Sequence, residues 1–132
     1  MKAGDENIIA DLLSQLGYPD TGDFIFEKMQ SLLNDPAEYL TVAENAEGKA
    51  IALISVHIIQ QIALKGGFAR ISYFSVDENS RSSGIGKQLE EYCEKRNCDR
   101  IELHCNFKRE KAHQFYYRQG CTESPKYLMK KL

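Results

Sequence analysis

The segment of the chain that decides its fold runs from Val76 to Lys87 and reads VDENSRSSGIGK. Residues 68–76 are rich in β-branched and aromatic residues and residues 84–96 carry apolar residues at helical spacing, so a strand leads through a turn into an amphipathic helix. The first N–H groups of a helix are unpaired, and the helix dipole adds partial positive charge beside them. Because two glycines let a phosphate approach the main chain and Arg81 and Lys87 add charge, the segment predicts a pyrophosphate site. A glycine-containing turn at a helix start without any ligand fits the same pattern.

Two nucleotide-binding motifs are excluded at this segment. The P-loop needs Ser or Thr after its lysine to bind magnesium, but Gln88 follows Lys87. The dinucleotide-binding motif needs a third glycine, and Leu89 occupies that position. Neither motif fits the segment.

The rest of the chain alternates helical and strand patterns around this segment. Apolar residues at helical spacing predict helices, and runs rich in Ile, Val and Leu between turn residues predict strands. The predicted helices cover residues 8–16, 21–33, 84–96 and 110–119, and the predicted strands cover residues 39–44, 50–62, 68–76, 100–105 and 121–132. No linker or repeat interrupts them, so we expect one α/β domain over residues 1–132, with a mixed sheet and helices on both faces.

The composition indicates an ordinary globular protein. The 132 residues are 42% hydrophobic and 27% charged, which excludes disordered and low-complexity chains. No apolar run approaches the ~20 residues of a membrane helix, and the first residues lack the pattern of a signal peptide. The net charge of -2 gives no reason to expect a nucleic-acid partner. We therefore expect a soluble cytoplasmic protein with no membrane or nucleic-acid partner.

The cysteines and histidines form no metal-binding pattern. No two of the four cysteines, Cys93, Cys98, Cys105 and Cys121, have C-x-x-C spacing. The three histidines are scattered and complete no zinc pattern with them. We expect reduced thiols and no bound metal.

The charges are unevenly distributed along the chain. Residues 1–80 hold 5 Lys and Arg against 12 Asp and Glu, whereas residues 81–132 hold 12 against 7. An acidic first part and a basic second part suit a cationic substrate that meets an anionic cofactor. Solvated helix faces explain the same distribution equally well.

Two segments resemble motifs of one enzyme family. Residues 81–86, RSSGIG, resemble the acyl-CoA pyrophosphate loop (R/Q-x-x-G-x-G/A) of the GNAT superfamily of N-acetyltransferases. Residues 112–121, AHQFYYRQGC, are similar to the A-x-x-F-Y-x-x-x-G-F segment of that family, with Cys121 in place of the usual aromatic residue. The motifs stand in the family's order, and the resemblance extends from about residue 5 to the C-terminus. Within the family, residues 106–116 are most similar to aminoalkylphosphonate and other small-amine acetyltransferases.

The resemblance implies a site for acetyl-CoA, the acyl donor, and needs no metal. The sheet, mostly antiparallel, would splay between strands 68–76 and 100–105, and main-chain groups of Phe74 and Val76 would pair with the pantetheine amides. The pyrophosphate would bind to the loop residues Arg81, Ser82, Ser83, Gly84, Ile85, Gly86 and Lys87. Asn106 or Arg109 would contact the pantetheine arm or the 3′-phosphate, and both remain candidates.

The catalytic roles follow from the same resemblance. Tyr116 is the expected general acid that protonates the departing CoA thiolate, and a phenol that only packs is the alternative. Many relatives have a Glu base on the third strand, but the comparable position here is Tyr73. Glu102 and His104 alternate to one face of the strand 100–105 and are the candidate bases, acting directly or through water. A solvated pair at the sheet margin is equally compatible.

The expected function is transfer of an acetyl group from acetyl-CoA to a primary amine of a small, cationic molecule, by direct attack in a ternary complex. The alternatives are acetylation of a protein N-terminus or lysine, and a catalytically silent acyl-CoA-binding sensor. The family's first strand is largely missing, because only Met1–Ala3 precede the first helix. The uncovered sheet edge would suit a homodimer.

Overall fold

The order of the elements in the computed structural model is two helices, three strands, a helix, a strand and a helix, in a structure that describes residues 5–77, 84–104, 110–123 and 128–132. The elements are α1 (Glu6–Gln15), α2 (Ile25–Leu33), β1 (Glu38–Glu44), β2 (Ala50–Ile59), β3 (Gly67–Val76), α3 (Ile85–Lys95), β4 (Cys98–Leu103) and α4 (Glu110–Arg118). The predicted helices and the first four predicted strands are confirmed, with bounds that differ by a few residues. Contacts divide the chain into two compact units, Met1–Glu102 and Leu103–Leu132.

The four strands form one mixed sheet in the order β1-β2-β3-β4. Strand β2 pairs antiparallel with β1 on one side and with β3 on the other. Strand β4 runs in the same direction as β3. Gly66, just before β3, lies beside Asp99 near the start of β4, and Arg70 further along β3 bonds Glu102 further along β4. Strand β4 ends at Leu103, so it accompanies the first part of β3. Cys105, where the predicted strand ended, lies outside the described residues.

Helices cover both faces of the sheet, as predicted. The even-numbered side chains of β2 (Ala52, Ile54, Val56 and Ile58) pack with Leu89 and Cys93 of α3. On the opposite face, Leu53 packs with Ile9, Leu12 and Leu13 of α1 and with Ile25 and Met29 of α2. This division follows from the alternation of side chains along a strand, since β2 is apolar on both faces and therefore needs cover on both.

A β-bulge in β3 changes which side chains face each helix layer. Ser55 of β2 is opposite Tyr73, whereas Val56 is opposite Ile71, so Ser72 is the extra residue. Ile71 and Phe74 consequently both pack toward the α3 face although they are three positions apart. Tyr73 therefore points to the face covered by α1 and α2, the face that also carries Ser75, whose hydroxyl donates to the carbonyl of Leu12 at 3.2 Å.

Two expectations about the ends of elements are wrong. Residues 121–123 and 128–132 are not in a strand, contrary to the predicted strand 121–132. Leu128 and Met129 would point to opposite faces of a strand, yet both are exposed, so no burial fixes a strand register there. Strand β2 ends at Ile59 and not at Ile62, because Gln61 turns back to donate to the carbonyl of Gly66 at 2.8 Å.

Met1–Ala3, where only a remnant of the family's first strand is expected, lie outside the described part of the chain. Among the helices that are described, none has the length and apolar character to cross a bilayer.

Candidate active site

The start of α3 combines three features that favour an anion at a helix end. Gly84 precedes the helix in the left-handed region, with φ of 76°, and a Cβ there would meet no atom within 4 Å. The first turn of α3 contains no acidic residue, and Lys87 is exposed. Free N–H groups, the helix dipole and a lysine thus favour a bound anion at this end of the helix. Arg81, Ser82 and Ser83 of the predicted loop lie outside the described residues, as does the side chain of Ile85.

The strand predicted to hold the pantetheine arm precedes this turn in the chain. Phe74 and Val76 of β3 are opposite Ile54 and Ala52 of β2, and their side chains pack partly against the α3-face core. Phe74 and Val76 come after the bulge in β3. Strand β4 lies beside β3 near Arg70, which comes before the bulge, and β4 ends at Leu103.

A row of charged side chains, which we name the polar row, crosses all four strands on the face that carries α1 and α2. Its members are Glu38 of β1, His57 of β2, Arg70 of β3, and Arg100 and Glu102 of β4. Glu38 is opposite His57, and His57 is opposite Arg70, in the strand register. The row continues into β4 because Arg70 Nη2 donates to Glu102 Oε2 at 2.9 Å.

Glu102, a predicted base, is held by two arginines. Arg70 bonds one carboxylate oxygen, and Arg100 Nε donates to the other at 3.0 Å. The hydrogen bond from Arg70 has the largest effect on the pKa of Glu102. Together with the bond from Arg100 it outweighs the opposing effect of burial and lowers that pKa. Both guanidinium groups also lie over the ring of Phe68, with distances to its centroid of 5.6 Å for Arg70 and 4.4 Å for Arg100. The carboxylate is therefore fixed in its ionised form, which makes it a weak proton acceptor.

The other end of the row is a histidine–carboxylate pair that the sequence analysis did not single out. His57 Nδ1 lies 2.6 Å from Glu38 Oε1. The His57 side chain is 38% exposed, whereas the Glu38 side chain is only 11% exposed. The signal in the sequence was a lone histidine within an apolar strand, but its partner is 19 positions away and becomes visible only through the strand register.

Tyr73, which stands where the resemblance would place a Glu base, forms an aromatic pair on the same face. Its ring meets that of Tyr18, in the loop after α1, edge to face with centroids 5.3 Å apart. Tyr73 is 38% exposed and Tyr18 49% exposed. The pair therefore leaves aromatic surface accessible to solvent between the bulge and the α1–α2 loop.

The second unit carries the predicted general acid. In α4, the rings of Phe115 and Tyr116 meet edge to face with centroids 5.3 Å apart. Tyr117 donates to Glu123 at 2.7 Å, and this hydrogen bond raises the pKa of Tyr117. His104 comes after the end of β4 at Leu103. The prediction that it shares a strand face with Glu102 is therefore wrong. Asn106 and Arg109 lie outside the described residues.

Two further kinds of chemical group bear on the reactivity of the described residues: metal-binding groups and reactive thiols. In the described ranges, no group of three or more His, Cys, Asp or Glu residues could hold a metal ion. Cys93, Cys98 and Cys121 form no disulfide bond. Burial is the main reason that the pKa of Cys93 is raised to about 11. Cys105 lies outside the described residues.

The comparison with family models decides the relationship that the two motifs suggested. The model described as the acetyltransferase (GNAT) family matches residues 7–121. The chain belongs to the GNAT acetyltransferase family. The family predicted from the motifs is thus confirmed, whereas its small-amine branch stays a prediction.

Solved GNAT structures share the fold along nearly the whole chain. A GNAT family acetyltransferase from Staphylococcus aureus is 22% identical with a TM-score of 0.79, and the match covers 100% of this chain and 95% of that chain. An aminoglycoside acetyltransferase from an uncultured soil metagenomic sample is 21% identical with a TM-score of 0.75, covering 96% and 88%. Aminoglycoside 6'-N-acetyltransferase AAC(6')-IG from Acinetobacter haemolyticus is 18% identical with a TM-score of 0.76, covering 100% and 96%. No curated protein matches the chain.

Proposed function

We propose that this GNAT protein transfers an acetyl group from acetyl-CoA to a primary amine of a small, cationic molecule, by direct attack in a ternary complex. The observation that carries the proposal is the start of α3, where left-handed Gly84, an acid-free first turn and exposed Lys87 form a place for an anion. GNAT members use acetyl-CoA as donor, and its pyrophosphate is an anion that this helix end suits.

The donor would bind along the end of β3 and the loop that follows it. Main-chain groups of Phe74 and Val76 would pair with the pantetheine amides, in the manner of an added strand. The pyrophosphate would bind to residues 81–87, with Asn106 or Arg109 on the rest of the CoA moiety. The arrangement follows the resemblance. It is supported by the position of Phe74 and Val76 at the end of β3 and of Gly84 and Lys87 at the start of α3, in the first unit.

The acceptor amine has to lose a proton before it can attack the thioester. An alkyl amine with a pKa of ~10.4 is neutral in about one molecule in 2,500 at pH 7, a handicap of about 4.6 kcal/mol. The nitrogen lone pair then forms a bond to the thioester carbon, the C–S bond breaks, and the sulfur leaves as a thiolate. We assign the protonation of that thiolate to Tyr116, since a phenol can act as general acid toward it.

Two observations support a cationic acceptor. Residues 5–24, which include α1 and the loop that carries Tyr18, contain five acidic residues and no Lys or Arg. This helix and loop cover the face of the sheet on which Tyr73 is exposed, so negative potential and aromatic surface adjoin. Two structurally similar proteins are described as aminoglycoside acetyltransferases, and aminoglycosides carry several amines.

The test combines acetyl-CoA binding with product detection by mass spectrometry. The amine panel contains polyamines, aminoglycosides, aminoalkylphosphonates, amino acids and short peptides. We expect N-acetylated product from the cationic small amines, and a several-fold higher KM for acetyl-CoA in Lys87→Gln than in the exposed-turn control Lys49→Gln. Product from peptides alone would favour a protein acceptor, and acetyl-CoA binding without any product would favour a sensor.

A further inference from the structure

The proposed reaction needs a proton acceptor, and the polar row offers two carboxylates and one imidazole for that role. Glu102 is held in its ionised form by Arg70 and Arg100, which lower its pKa. A carboxylate with a lowered proton affinity accepts a proton poorly from an ammonium ion. The imidazole of His57 is the group in the row whose chemistry suits proton transfer near neutral pH.

Glu38 orients the His57 ring. An ionised carboxylate can only accept a hydrogen bond, so the 2.6 Å contact assigns the proton to Nδ1 and leaves the lone pair on Nε2. The second carboxylate oxygen of Glu38 is buried and has no hydrogen-bond partner among the described residues. The negative charge of Glu38 therefore acts mainly on His57 and lies where it stabilises the imidazolium that forms when Nε2 takes a proton.

The strand register places His57 next to the bulge where the acceptor amine would enter. His57 is two residues from Ser55 on the same face of β2, and Ser55 is opposite Tyr73. Phe74, proposed to hold the pantetheine arm, is the next residue of β3 and points to the other face. The side chains of His57 and Tyr73 lie on the same face, and each is 38% exposed, so solvent reaches both.

We propose that His57, oriented by Glu38, is the general base of the reaction, an assignment that rests on the proposed acetyl transfer. His57 Nε2 takes a proton from the acceptor ammonium, directly or through one water, and the freed lone pair attacks the thioester carbon. When the C–S bond breaks, the thiolate takes up the second proton that the nitrogen loses, relayed by the general acid. The net products are the N-acetylated amine, CoA thiol and one proton, which leaves His57 for solvent.

The charged groups that face His57 come from the strands on either side. Glu38 lies on β1, Arg70 is opposite on β3, and Glu102 follows beyond Arg70 on β4. The core residues that α1 and α2 contribute to this face are apolar.

The test is the pH dependence of kcat/KM for the amine at saturating acetyl-CoA, measured with the full chain. With a base on the enzyme, kcat/KM reaches a plateau once the base has lost its proton, far below the amine pKa of ~10.4. In His57→Gln the amine has to be neutral before it attacks, so kcat/KM rises tenfold per pH unit up to that pKa. We expect a loss of about 100-fold at pH 7 that closes by about pH 9, because two pH units of a tenfold rise recover it.

Further variants separate a base from a pair that only stabilises the sheet. Glu38→Gln keeps the imidazole, and we expect it to keep the plateau but to lower it by about tenfold, with KM for acetyl-CoA within twofold. Glu47→Gln, in the exposed β1–β2 turn, is the matched control and should match the wild type. Glu102→Gln should keep the plateau.

A plateau retained in His57→Gln, or lost in Glu102→Gln, would overturn the assignment of His57. An unchanged profile in Glu38→Gln would remove the orienting role of Glu38 and contradict the pair. An absence of acetylated product from the wild type with every amine would instead contradict the proposed function itself. Thermal unfolding of each variant shows that the compared proteins are folded.

Discussion

Gly84→Ala is the substitution that tests the geometry of the α3 start most sharply. Gly84 has φ of 76°, and the position of an added Cβ is open to solvent, so the substitution causes backbone strain without a steric clash. A left-handed backbone costs a residue with a Cβ about 1–2 kcal/mol relative to glycine. We therefore expect the free energy of unfolding to fall by about 1 kcal/mol, which for a chain of this size lowers Tm by about 3–5 °C.

The matched control is Gly22→Ala, because Gly22 also has open space at its Cβ position but no positive φ. That change should be neutral or slightly stabilising, since alanine restricts the unfolded chain. Urea unfolding of both variants gives the difference, and acetyl-CoA titration of Gly84→Ala should show weaker binding as the helix start shifts. If the two variants have the same stability within about 0.3 kcal/mol, the left-handed turn at Gly84 is refuted.

Three further predictions concern the core, the polar row and the thiols. Val56→Ala should lower the free energy of unfolding by about 2–3 kcal/mol because Val56 is fully buried, whereas Ile62→Val at an exposed position should change it little in the same urea titration. A carboxyl with a lowered folded pKa contributes stability above its unfolded pKa, about 4.3 for Glu, and loses it as the pH falls through the folded value. The stability difference between wild type and Glu102→Gln should therefore shrink between pH 7 and pH 3, and a constant difference would contradict the pairing with the two arginines. Buried Cys93, with its pKa raised to about 11, should react with iodoacetamide more slowly than Cys121 at pH 8, and equal rates by mass spectrometry would be the contrary result.

The sequence predicted the layers of the fold because burial leaves a periodic record in it. The strand β2 is apolar at consecutive positions, which requires cover on both faces, and the helices α1 and α3 supply that cover. The turn at Gly84 was equally visible, because a glycine at the start of an amphipathic helix has few structural alternatives. Both features, the two-sided apolar strand and the glycine turn, are recorded in residues that lie close together in the sequence.

The polar row could not be predicted because its contacts join residues on different strands. Glu38 meets His57 and Arg70 meets Glu102 only in one register, and the bulge at Ser72 shifts that register within β3. A one-residue bulge leaves no pattern in the sequence that separates Ser72 from its neighbours. The predicted C-terminal strand was wrong for a related reason, since local alternation does not reveal whether a segment finds a partner to pack against.

The measurement that tests the central claim most directly is acetyl transfer from acetyl-CoA labelled with carbon-13 in the acetyl group. The full chain is incubated with the labelled donor and a polyamine or an aminoglycoside, and all products are analysed by mass spectrometry. The account predicts that the label appears in an N-acetylated amine together with an equal amount of free CoA. Free CoA with labelled acetate, or bound acetyl-CoA that remains intact with every amine, would contradict it.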